Sequence, residues 1–121
     1  MNAPYHAKMS ENYIAVPPGT TIEEQLEIGG ITKQEFVNKM GMSERFIDEL
    51  IDGNVPLTDE IAIKLEKVLG GAAYFWNNLE KGYREDLAKV NEENRRNEEA
   101  KRRWRYGNSS VRWNTLSVSR V

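Results

Sequence analysis

The side chains able to do covalent or metal chemistry are few and badly placed for it. Cysteine is absent and the single histidine, His6, lies in the leader before the first helix. There is thus no thiolate, no Cys-based metal set, and no His for a triad near a serine. The nineteen carboxylates fall mainly at helix surfaces and first turns, and no His-Glu-x-x-His motif occurs. No nucleophile–base pair or metal cluster can be named, so the expectation is no enzyme, no catalytic residue, no metal and no cofactor.

What remains is charge, and it is unevenly spread. Residues 20–60 carry three Lys/Arg against ten Asp/Glu, whereas residues 61–121 carry thirteen against eight. Near the end of the chain, arginines alternate with Trp104, Tyr106 and Trp113. Cations beside aromatic faces can track a nucleic-acid backbone and stack on bases, although a charged, disordered tail or a protein contact fits the same composition. Val111, Trp113 and Thr115 also alternate as a short edge strand would.

The elements that position these charges are helices. At 121 residues, with 39% apolar and 30% charged side chains, the chain suits one soluble helical domain with appendages. No apolar run approaches the roughly 20 residues of a membrane span, and the first residues do not resemble a signal peptide, so the expected compartment is the cytoplasm. Residues 1–19 read as an arm whose Val16-Pro17-Pro18-Gly19 ending is rigid and non-helical. Thr20 or Thr21 should cap a first helix in which Ile22, Leu26 and Ile28 pack inward up to Gly29-Gly30.

The stretch ITKQEFVNKMGMSERFIDELIDG follows, from Ile31 to Gly53. Thr32 and Glu35 have the spacing of a capping box, and Phe36, Val37 and Met40 supply an apolar face. Gly41 stops that helix, and Ser43 caps a second one from Glu44 to Asp52 with Ile47, Leu50 and Ile51 inward. Two short helices around such a turn have helix-turn-helix geometry, in which the second helix can lie in a DNA major groove. Thr58 caps a fourth helix bearing Ile61, Ala62, Leu65, Val68 and Leu69, ended by Gly70-Gly71. A fifth starts near Ala72 with Phe75, Trp76, Leu79 and Tyr83 as a core stripe. Beyond Val90 the apolar face fades into i,i+4 pairs such as Glu92–Arg96, Glu98–Arg102 and Glu99–Arg103, as a solvated helix or frayed coil. No heptad continues there, which argues against a coiled coil.

From Val16 to about Ala88 the chain resembles the Xre-type helix-turn-helix proteins of the HigA/VapI antitoxin group. Pro18-Gly19, Leu57-Thr58, Phe75-Trp76-x-x-Leu79, Tyr83 and Arg84-Glu85-Asp86-Leu87 carry the resemblance. It implies an all-α, five-helix, lambda-repressor-like domain over residues 20–90, after an arm at 1–19 and before an extended charged C-terminal helix or tail at 91–121. It further implies a sequence-specific DNA-binding repressor, the antitoxin of a toxin–antitoxin operon, binding operator DNA as a homodimer and pairing with a cognate toxin.

Carried over by position, the DNA-facing set is Thr32, Lys33, Gln34, Ser43, Glu44, Arg45, Phe46 and Glu49. Lys33 stands where the family often has glutamine and suits a phosphate or base-edge contact. Arg45 is placed for guanine O6 and N7, Glu44 for cytosine N4, and the amides near Ser43 for a phosphate. The chain departs from the family at Val37, where alanine is preferred, at Pro17, where histidine is common, and at Asp52, where asparagine is usual. Asp48 and Glu49 add further carboxylates to the exposed face of the second helix, against a phosphate-lined groove. The alternative is therefore a protein-interaction module, a retained scaffold that holds a toxin or other partner with little or no DNA binding.

Overall fold

The computed structural model describes residues 6–110. Among these residues five helices follow a two-stranded hairpin: β1 (Lys8–Met9), β2 (Ile14–Ala15), α1 (Pro18–Gly29), α2 (Lys33–Met40), α3 (Glu44–Asp52), α4 (Asp59–Leu69) and α5 (Ala73–Ser110). Among the described residues no helix is long and apolar enough to cross a membrane.

The leader is not a plain arm. β1 and β2 pair antiparallel, Lys8 with Ala15 and Met9 with Ile14. Fully buried Ala15 belongs to a small second core with Tyr83 and Val90 of α5. Two-residue strands leave no periodicity in the sequence, and this hairpin is held by hydrogen bonds to residues more than eighty positions away. Ser10 Oγ donates to Glu93 Oε1 at 2.5 Å, and the Asn12 amide donates to the same oxygen at 2.8 Å.

α1 starts earlier than the sequence suggests, with Pro17 at the cap and Pro18 already in the first turn. Proline needs no amide partner there and its φ is already helical, so the two prolines begin the helix instead of blocking it. Gly19 is then required by close approach. A Cβ at that position would lie 1.9 Å from the Ile51 carbonyl oxygen, so α1 meets the backbone of α3 directly. Ile28 is 78% exposed and takes no part in the core, because the helix rotates it away from Ile22 and Leu26.

Ile22, Phe36, Ile47 and Leu65, each fully buried, meet Met40, Ile61 and Trp76 in the main core. Burying side chains of this size stabilises by roughly 1.5–3 kcal/mol each. Trp76 is the plug that α5 contributes, and its indole Nε1 donates to the Gly70 carbonyl at 3.2 Å. Phe75 lies outside that core at 42% exposure and packs edge-on to Trp76, with centroids 5.2 Å apart. Adjacent helical residues point about 100° apart, so only one of the pair can face inward.

α5 continues well past its apolar face, through residues whose composition suits a solvated helix or a frayed coil equally. Thirty-eight residues make it about 57 Å long at 1.5 Å per residue. Arg95 and Arg96 both reach back to Glu92, at 2.6 and 3.0 Å, and Glu99 pairs with Arg95 at 2.7 Å instead of turning forward to Arg103. The strand suggested by Val111, Trp113 and Thr115 lies outside the described residues.

Candidate nucleic-acid interface

Local chemistry builds the turn between α2 and α3. The Thr32 hydroxyl accepts from the Glu35 amide at 3.1 Å while the Glu35 carboxylate accepts from the Thr32 amide at 2.9 Å, closing the capping box. Gly41 adopts φ +69°, the left-handed conformation that lets its amide donate to the Val37 carbonyl at 3.0 Å and turn the chain. Ser43 Oγ accepts from the Phe46 amide at 3.1 Å and starts α3. The far ends are pinned from outside the motif. Lys64 of α4 donates to the last carbonyl of α2, Met40, at 3.0 Å. Arg84 of α5 donates to the Gly53 and Val55 carbonyls, both at 3.2 Å, just beyond α3.

Thr32, Lys33 and Gln34 at the start of α2 and Ser43, Glu44 and Arg45 at the start of α3 are all solvent-exposed. Lys33 is already engaged: its ammonium contacts the Asp48 carboxylate and lies 3.5 Å from Glu44. The hydrogen bond that Lys33 donates to Asp48, followed by the negative charge of Asp48 and Glu44, holds the Lys33 pKa above its ordinary value despite partial desolvation. Gln34 donates to Asn38 on its own helix at 3.3 Å. Phe46 turns toward the core, half-buried, and with Met42, Val55, Pro56 and Ile63 lines a recess of about 730 Å³ between α3 and α4. Glu49 is half-buried. Arg45 is exposed, is the sole cation of α3, and makes no ion pair among the described residues.

The leader contributes residues that sequence reasoning did not assign to this face. His6 places Nδ1 2.6 Å from Asp52 Oδ1 and Nε2 2.9 Å from Glu23 Oε1, bridging α3 and α1. Lys8 donates to the Asp52 carbonyl at 2.8 Å, putting a cation at the negative end of α3. Asp52 is thus occupied by the leader. Its position on α3 was legible in the sequence, but partners more than forty residues away in the chain were not. Among the described residues no three His, Asp or Glu side chains gather as metal ligands.

An exposed helix start whose guanidinium makes no ion pair among the described residues, fixed by a capped turn, is suited to a polar groove. No protein-family model matches the chain. It is 33% identical over 66 residues to the helix-turn-helix-type transcriptional regulator YddM of Escherichia coli (strain K12), itself uncharacterized, covering 54% of this chain and 70% of that protein. It is 40% identical over 57 residues to antitoxin HigA-1 of Vibrio cholerae, covering 47% of this chain and 53% of that one. In architecture it is similar to an addiction module antidote protein of a HigA family from Coxiella burnetii, with a TM-score of 0.57 and 20% identity over 70% of this chain and 92% of that one. The chain belongs to the Xre-type helix-turn-helix regulators of the HigA antitoxin group.

Proposed function

We propose that this protein is a dimeric operator-binding repressor and the antitoxin of a small toxin, with residues 20–90 as the reading unit and 91–121 as an extension. The observation that carries the reading is Arg45, exposed and without an ion pair among the described residues, on the first turn of α3, which Ser43 caps. A guanidinium there can make a bidentate contact to guanine O6 and N7, worth about 1–3 kcal/mol of discrimination. Two copies would place two such helices on half-sites about one helical turn apart. Ser43 and Thr32 act mainly as caps, and Glu44 and Lys33 enter the interface as a linked pair. Fluorescence-anisotropy titration of the full chain against the DNA upstream of its own gene tests this, at two salt concentrations. A sequence-preferring complex that weakens with salt is expected; equal affinity for scrambled DNA at low salt contradicts it.

One observation favours a second reading, a scaffold that holds a protein partner. Lys33 is drawn onto Asp48 and Glu44, while the recess beside Phe46 is apolar and open. Copurification with the product of the adjacent gene, in the absence of any DNA preference, would select it.

A further inference from the structure

The reading face is short of cations. α3 offers Arg45 alone, Lys33 is tied to two carboxylates, and Glu44, Asp48 and Glu49 stand on the same helix. Affinity for duplex DNA is dominated by phosphates neutralised by Lys and Arg. If the protein holds DNA, most of that neutralisation has to come from outside the helix-turn-helix.

The far part of α5 has the right chemistry. Lys101, Arg102, Arg103 and Arg105 are four cations within five residues, all exposed. Of the acidic residues in the turns before them, Glu92 and Glu99 are engaged by Arg95 and Arg96, and Glu93 by Ser10 and Asn12. Trp104 is 68% exposed and shares a shallow recess of about 500 Å³ with Ala100, Lys101 and Arg105. An indole set between cations can lie against a sugar edge while its neighbours meet phosphates. The segment is also held at a defined distance. Arg84 anchors α5 to the end of α3, and Lys101 follows seventeen residues later on the same helix, about 26 Å along it. That is less than the roughly 34 Å of one duplex turn.

We infer that residues Lys101 to Arg105 form a second DNA contact, which binds backbone phosphates flanking the half-site read by α3 and supplies sequence-independent affinity. This rests on the operator-binding reading above.

The test uses the full chain and a Lys101→Gln/Arg102→Gln/Arg103→Gln variant, with folding checked by circular dichroism. Each is titrated against one upstream duplex and a scrambled duplex over a salt series. The wild type should show a slope of log affinity against log salt that is steeper by about two to three than the variant's, at about 0.9 per phosphate contact. The variant should lose at least tenfold in affinity on both duplexes alike. Hydroxyl-radical footprinting of the wild type should add protected sugars outside the half-site, a readout that does not depend on the variant. Equal slopes, or a wild-type footprint with no protected sugars outside the half-site, would overturn the inference and leave the operator-binding reading standing. No wild-type binding at low salt would overturn both. Equal slopes with loss of a copurifying toxin would assign the segment to a protein partner instead.

Discussion

Lys33, in the first turn of α2, is tied to Asp48, in the middle of α3. The pair spans the helix-turn-helix on its solvent side, where a DNA backbone would otherwise compete for the ammonium. Operator binding as proposed above would therefore displace or share a contact that the free protein already has. Replacing Asp48 by Asn removes the competitor and one negative charge from α3. The expected result is several-fold tighter binding to upstream DNA and a salt slope steeper by about one phosphate contact, measured by anisotropy.

Gly19→Ala tests how closely α1 meets α3. The added Cβ would meet the Ile51 carbonyl, and backbone on both sides leaves no flexible side chain to give way. Overpacking of this kind costs about 1–3 kcal/mol or more. Urea unfolding should show a lower midpoint at unchanged slope.

Tyr83 offers a change of opposite sign. Its ring is buried between the hairpin and α5, with the Arg84 guanidinium 4.9 Å from its centroid, but its hydroxyl has no hydrogen-bond partner among the described residues. Tyr83→Phe keeps the packing and removes the unsatisfied oxygen. Thermal unfolding should show equal or greater stability, by up to about 1 kcal/mol.

Glu93 gives the fold a pH dependence. The Ser10 hydroxyl, then the Asn12 amide and side chain, hold its carboxyl below the ordinary value of 4.5. A depressed folded-state pKa means a contribution fully present above the unfolded value and lost as pH falls through the folded one. Docking of the hairpin should weaken below about pH 4.5. Glu93→Gln should lower stability at pH 7 and flatten that part of the acid limb, as followed by unfolding from pH 7 downward.

Much of this architecture could be read from the chain because its determinants are local. Thr32 with Glu35, Gly41, Ser43 and Thr58 fix helix ends within three or four residues of themselves, and the structure has each cap where its spacing implies. The long-range features were not readable. The hairpin depends on Ser10 and Asn12 meeting Glu93, and the leader's grip on α3 depends on His6 and Lys8 meeting Asp52. The proposed DNA-facing residues divide in the same way. Their placement on two exposed helix starts followed from the caps, but Lys33 crossing to Asp48 and Phe46 turning inward depend on how two helices are set against each other. Periodicity could not separate Phe75 from Trp76 either, since either residue could have filled the last gap of the core.

In the proposed function, α3 reads sequence through Arg45. The most direct measurement is anisotropy of the wild type and Arg45→Ala on upstream and scrambled duplexes at one fixed salt concentration. The variant should lose about 5- to 150-fold on the upstream duplex, the equivalent of about 1–3 kcal/mol, and little on the scrambled one. Equal affinity of the two proteins for the upstream duplex would contradict it.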